Sequence, residues 1–247
     1  AAARGVPLVV LLGGSVGRLP AYNSNGLGLI GSTEAPAQAQ QLAAPGFGAI
    51  KVRLGYADAR ADLEVVRAVR QAVGDEVELM ADYNQGLSVA EALRRTEVLA
   101  GEGLAWIEEP TSADDFDGHA RIRRKSRLPV QMGENWWGPQ EMAACLATDA
   151  TDLVMPDAMK IGGVTGWLRA AAQAQSAGLP MSSHLFPELS AHLLAVTPTR
   201  HWLEYVDWAE PILEQPLQVE HGQAVIADRP GTGLRWNEDA VRRFLAA

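Results

Sequence analysis

One cysteine, a shortage of positive charge and no apolar run long enough to cross a bilayer are what the 247-residue sequence shows by omission. Cys145 alone cannot build an internal disulfide framework, so the core has to stabilise the fold, and a reducing, cytoplasmic compartment suits it. Its neighbours Met142, Ala143, Ala144 and Leu146 read as an apolar helix face, which makes the thiol a packing residue. Lys and Arg number 21 against 30 Asp and Glu, a net charge of −9, which argues against nucleic acid or an anionic membrane surface as partner. A small anionic substrate is still admissible, because a local cation or a bound metal overrides the global charge. The apolar run at 8–12 is too short for a membrane span, and a signal peptide would carry more charge ahead of it. With no initiator Met, this end reads as an internal point of a longer protein. Low-complexity segments and a second domain are also missing.

What the sequence has is rhythm. Short apolar or β-branched runs at 19–22, 49–54, 78–81, 105–107, 130–132, 153–155, 180–182 and 202–205 alternate with amphipathic stretches such as 58–73 and 89–100. The second of these opens with Ser88 three residues before Glu91, a capping-box pattern. Helix 163–177 is rich in alanine, as close packing on a sheet requires. Strands and helices repeating about every 25 residues imply parallel pairing with right-handed crossovers. Eight strands point to a closed α/β barrel of the (β/α) type spanning 1–247. The tail from Pro211 breaks the rhythm, with a hairpin expected around His221–Gly222 and then a final helix.

In such a barrel the chemistry lies where strands end, at the C-terminal face. Asp82, Glu108 and Glu134 stand 26 residues apart (108 − 82 and 134 − 108), one strand-helix unit each. They therefore project from adjacent strand ends into one mouth. Three ionised carboxylates repel unless a cation sits among them, and oxygen-only ligation selects a hard ion, Mg²⁺ before Mn²⁺. His184 ends strand seven and Asp157 ends strand six. A carboxylate on one ring nitrogen fixes the tautomer and raises the basicity of the other, so the pair reads as a general base. Lys51 and Arg53, two apart on one strand, face the same side, and two buried cations need an anion nearby.

The runs at 81–85 (ADYNQ), 106–110 (WIEEP), 131–136 (QMGENW), 155–167 (MPDAMKIGGVTGW) and 181–186 (MSSHLF) resemble those of mandelate racemases, within the enolase superfamily. The similarity covers nearly the whole chain. It implies a (β/α)7β barrel with Asp82, Glu108 and Glu134 as Mg²⁺ ligands, and His184 with Asp157 as base on one face of a 2-hydroxy carboxylate. It further implies Glu204 donating a hydrogen bond to the substrate carboxylate, which requires a neutral Glu204 with a raised pKa. Lys51 would hold the same carboxylate, Asn84 would contact the 2-hydroxyl, and Ser24 would lie near the carboxylate. Leu185 and Val206 would line an apolar pocket wall. Removing the α-proton leaves an enediolate, and each preorganised contact to its growing charge is worth about 3–4 kcal/mol.

Two departures from the pattern bear on the reaction. Arg53 stands where the racemase pattern has a lysine base for the opposite face. An arginine side chain titrates above pH 12, so deprotonation near pH 7 costs roughly 7 kcal/mol, whereas lysine starts near 10.4 and shifts readily beside another cation. The N-terminal capping domain of the family also has no counterpart in the sequence. The expected activity is racemisation of mandelate or a related 2-hydroxy acid. The alternatives are an acid-sugar dehydratase with His184 as sole acid and base, and a barrel that binds ligand without turnover. The expected partners are a small carboxylate substrate and further copies of the chain in a homo-oligomer.

Overall fold

The computed structural model describes residues 1–245. A short helix α1 (Leu8–Leu11) precedes strand β1 (Arg18–Asn23), after which helix and strand alternate. The series runs α2 (Gly31–Ala43), β2 (Ala49–Arg53), α3 (Ala59–Val73), β3 (Glu78–Asp82), α4 (Val89–Leu99) and β4 (Leu104–Glu108). It continues through α5 (Phe116–Lys125), β5 (Val130–Met132), α6 (Pro139–Ala147), β6 (Leu153–Val154) and α7 (Gly163–Ala177). Then come α8 (Pro187–Ala195), β7 (Leu203–Tyr205), the strands β8 (Gln218–Glu220) and β9 (Gln223–Val225), and α9 (Glu238–Phe244).

Strands β1 to β6 pair in sequence order and in parallel, and β7 pairs in parallel with β1. Between β6 and β7 the expected strand at 180–182 is reduced to single bridges. Met181 bridges Val154 on one side and Arg200 on the other, and His184 bridges Asp157. The ladder cannot lengthen, because Pro180 offers no N–H and β6 beside it is two residues long. The sheet nevertheless closes on itself, as the sequence rhythm requires.

Local sequence explains the helices. Asp58 caps α3 by accepting from the N–H groups of Arg60 and Ala61, and Val65, Val66 and Val69 form its buried stripe. Each buried valine contributes about 1.5–3 kcal/mol relative to an exposed one. Ser88 caps α4 through the N–H of Glu91, at 3.2 Å. The capping box is only half formed, because the Glu91 carboxylate turns to Arg95 at 2.7 Å instead of reaching back to Ser88. The hairpin falls at His221–Gly222, where both residues have positive φ (51° and 70°), as a two-residue turn between β8 and β9 requires. Cys145 is buried, 3.8 Å from Met132 Sδ, and burial pushes its thiol up to about 12.

Alternation along the strands sorts the two faces of the barrel wall. Ile50 and Val52 of β2 join the large core under the helices, while Ala49 joins Tyr22, Met80, Trp106 and Leu153 in a separate interior cluster. Lys51, Glu108 and Glu204 lie above that plug and are buried. Register completes the layout: Arg53 pairs with Asp82, and Asp82 with Glu108, so three charged residues share one level at the rim.

Candidate active site and metal centre

Asp82 and Glu108 end their strands, and Glu134 lies two residues beyond β5. One oxygen from each lies within 4.8 Å of the other two. The loops that follow Asp82, Glu108 and His184 hold unusual backbone: Asn84, Gln85, Glu109, Leu185 and Phe186 all have φ between 34° and 64°. Such conformations cost side-chain-bearing residues energy and persist where the surroundings enforce them.

Charge at the cluster is unbalanced. The buried Lys51 ammonium lies 2.6 Å from Glu108 Oε1, 2.9 Å from Glu204 Oε1 and 3.2 Å from Asp82 Oδ2. Burial opposes its charge, yet Glu108 and Glu204 outweigh that and raise its pKa well above the usual value. Glu108 tells the other half. Burial drives its carboxyl well above the carboxylate range, Lys51 pulls it back, and Asp82 and Glu134 push it up again. One ammonium is too little to keep Asp82, Glu108, Glu134 and Glu204 all ionised, and a divalent cation held by the first three would supply the missing charge. A donor set of carboxylate oxygens alone fits Mg²⁺.

Beside the acids stands the histidine. Its Nδ1 lies 2.9 Å from Asp157 Oδ2, while Asp157 Oδ1 accepts from the N–H groups of Met159 (2.8 Å) and Lys160 (3.1 Å). Nε2 faces inward, 3.4 Å from Glu134 Oε2 and 4.0 Å from Glu204 Oε2. Burial lowers the pKa of His184, but the Asp157 hydrogen bond and the charges of Glu204 and Glu134 outweigh it and raise the net value. Burial would raise Asp157, yet the His184 hydrogen bond and the two backbone donors hold it below the usual range.

The other expected residues occupy the same mouth with different partners. Arg53 Nη1 donates to the carbonyls of Ser24 (2.8 Å) and Gly26 (2.9 Å), and Nη2 donates to Ser24 Oγ (2.9 Å). Ser24 is thereby committed to the arginine. Asn84 clasps Asp82 with its backbone N–H (2.8 Å) and its side-chain amide (3.0 Å). Leu185 donates its backbone N–H to Glu204 Oε2 at 2.9 Å, and Val206 is buried. The expected neutral Glu204 is corrected: burial favours the acid form, but Lys51, His184 and the Leu185 N–H together hold it well below the carboxylate range.

Several supporting residues escaped the sequence reading. Trp106 Nε1 (3.2 Å) and Gln131 Nε2 (3.3 Å) both donate to Glu108 Oε2. Asp62, in the first turn of α3, accepts from the N–H groups of Gly55 and Tyr56, from Tyr83 Oη (3.1 Å) and from Arg95 Nη1 (2.7 Å). It thus pins the loops after β2 and β3. Lys160 donates to Asn135 Oδ1 at 2.8 Å, and Asn135 donates to the buried Glu109 at 2.7 Å. Burial and the nearby Glu134 push Glu109 up to about 7. The WIEEP and QMGENW runs contain all three: a period-two reading of β4 could have found Trp106, whereas Glu109 and Gln131 are out of phase with the expected acids of their runs. Around the mouth, Leu29, Trp137, Met159, Phe186 and Trp208 are exposed.

A closed (β/α) barrel with a carboxylate cluster able to hold a metal ion and a His–Asp pair at its C-terminal rim is the layout of an enolase-type barrel. A family model described as enolase C-terminal domain-like matches residues 34–240, and the chain belongs to the enolase superfamily. It is 32% identical over 239 residues to L-talarate/galactarate dehydratase of Salmonella typhimurium, covering 96% of this chain and 60% of that protein. A solved enolase from alpha proteobacterium BAL199 with bound Mg is 48% identical with a TM-score of 0.97, covering 99% of this chain and 68% of that one. Another, from Bradyrhizobium and complexed with magnesium and mandelic acid, is 45% identical with a TM-score of 0.93, covering 98% and 66%. The chain spans about three-fifths of the length of the curated relatives that it matches.

Proposed function

We propose that this chain is the catalytic barrel of a Mg²⁺-dependent acid-sugar dehydratase acting on one face of a 2-hydroxy carboxylate. The observation that carries the reading is the asymmetry of the mouth. The His184–Asp157 pair aims its second ring nitrogen at the acid cluster, while the Arg53 guanidinium is spent on Ser24 and Gly26. Racemisation needs a base on both faces, whereas dehydration works with one.

Asp82, Glu108 and Glu134 would hold the ion, which when bound withdraws charge from the substrate carboxylate. His184 Nε2 takes the α-proton, with Asp157 stabilising the imidazolium through Nδ1–H. Lys51, already charged and buried, stabilises the charge that moves onto the carboxylate. The imidazolium returns its proton to the 3-hydroxyl as the C3–O bond breaks, so water leaves and the enol becomes a 2-keto-3-deoxy acid. Glu204, ionised beside Lys51, keeps that ammonium aimed inward. The exposed apolar side chains around the mouth mark a surface covered in the working enzyme, by another part of a longer protein or by a further copy in a homo-oligomer.

Similarity to talarate/galactarate, gluconate and arabinonate dehydratases supports this reading over racemisation. The second reading, a hydroxy acid with an apolar substituent, is favoured by the mandelic acid bound to the Bradyrhizobium relative and by Leu185 and Val206. Incubation of the protein and Mg²⁺ with a panel of aldarates and aldonates, with 2-keto acid formation followed by semicarbazide absorbance, tests the proposal. Keto-acid formation from at least one acid sugar supports it. Failure across the panel, together with turnover of mandelate, would hand the site to the second reading.

A further inference from the structure

Glu108 uses its two oxygens in separate ways. Oε1 faces Lys51 at 2.6 Å, whereas Oε2 accepts from Trp106 Nε1 at 3.2 Å and from Gln131 Nε2 at 3.3 Å. All three side chains are fully buried. The strand geometry produces the cradle directly. Trp106 precedes Glu108 by two residues on β4 and so shares its interior face, and Gln131 is the register partner of Glu108 on β5. Both donors are themselves held. The indole packs edge-on against Tyr22 with ring centroids 5.7 Å apart, and the Gln131 amide also rests 3.0 Å from Met155 Sδ.

We propose that Trp106 and Gln131 are positioning residues that occupy Glu108 Oε2, limit this acid to one ligating oxygen, and thereby select Mg²⁺ over Ca²⁺. The inference rests on the reading of Asp82, Glu108 and Glu134 as the metal centre. Mg²⁺ demands near-octahedral geometry at about 2.1 Å and takes one oxygen per carboxylate, whereas Ca²⁺ accepts six to eight ligands and bidentate carboxylates. For Glu108 to turn bidentate, Oε2 would have to release two N–H donors inside a dry site, which leaves both unsatisfied. The cradle thus opposes the ligation that favours the larger ion. The ion-matching role differs from plain packing, because packing has no reason to distinguish two dications.

The test uses the full, chelator-stripped protein and titrates Mg²⁺ and Ca²⁺ separately by calorimetry, with the metal-free Tm measured alongside. Trp106→Phe keeps a ring but removes the donor, and Gln131→Met removes the amide. Trp167→Phe is the control, since this buried indole donates to Thr197 Oγ1 at 3.0 Å away from the acids. In either site variant the Ca²⁺ Kd falls about ten-fold, because Glu108 is freed to turn bidentate, while that of Mg²⁺ moves less than about three-fold, so the preference for Mg²⁺ collapses. Trp167→Phe lowers the Tm and leaves both constants alone. Equal weakening of the two ions, or unchanged constants in Gln131→Met, overturns the proposal, and Gln131→Met decides alone if Trp106→Phe does not fold. A parent protein that takes up no Mg²⁺ instead removes the metal reading itself.

Discussion

The two flanks of the acid cluster offer different kinds of nitrogen base. Between β6 and β7, His184 is backed by a carboxylate at 2.9 Å, which is itself fixed by two backbone N–H groups, and its second nitrogen faces the cluster. On β2, Arg53 is backed by two carbonyls and a hydroxyl, all of which accept from it. Acceptors around a histidine make it a better proton acceptor, but acceptors around a guanidinium only fasten it in its charged form. In the proposed mechanism the arginine flank serves as architecture and electrostatics, and proton transfer belongs to the histidine flank.

Breaking the histidine flank has the largest expected effect. His184→Asn lowers kcat about 10³–10⁴-fold and abolishes exchange of the substrate α-proton with solvent, both measurable by NMR. Asp157→Asn is milder, about 10²-fold in kcat, because the imidazole remains but loses its orienting charge. The same substitution moves the His184 titration. In the metal-free protein its midpoint lies above the ordinary value near 6.5, since the Asp157 hydrogen bond and the acid cluster outweigh burial. With Asp157 neutralised, burial regains weight and the midpoint falls, which imidazole NMR reads. The sign for stability follows: a raised folded-state value stabilises the protein fully below pH about 6.5 and is lost as pH rises through the folded midpoint.

Changes on the arginine flank sharpen the contrast. Arg53→Lys supplies a titratable amine among cations and carboxylates, and is expected to bring slow inversion at the α-carbon while dehydration stays within about ten-fold of the parent. Chiral chromatography of recovered substrate measures it. The smallest effect is at Tyr83→Phe, which removes one hydrogen bond to the buried Asp62 and costs about 1–2 kcal/mol by denaturant unfolding. Asp62→Ala would cost more, about 3–5 kcal/mol, because Arg95 is left buried without its partner.

Legibility in the sequence followed the same division. The clustering of Asp82, Glu108 and Glu134 could be read because the strand-helix period is regular: a spacing of 26 residues puts Asp82 and Glu108 at equal height in adjacent strands, and Glu134 in the loop three residues past the register partner of Glu108. His184 and Asp157 were readable for the same reason, even though the strand beneath His184 proved to be isolated bridges. The charge of Glu204 was not readable. It depends on Lys51 arriving at 2.9 Å from another strand and on a backbone N–H in a left-handed turn at Leu185, and neither leaves a mark in the local sequence. Asp62 was hidden differently. An acid in the first turn of a helix looks like a solvated cap, and only the packing of α3 against the loops after β2 and β3 makes it a buried hub.

The central claim is that one base works on one face. The direct measurement supplies the protein and Mg²⁺ in D₂O with each enantiomer of mandelate and with an acid sugar, and follows the α-proton by NMR together with optical rotation. The account predicts exchange in the enantiomer that presents its proton to His184, no inversion, and loss of water from the acid sugar. Exchange with inversion of both enantiomers would contradict it, because a second base would then have to reach the face that Arg53 occupies.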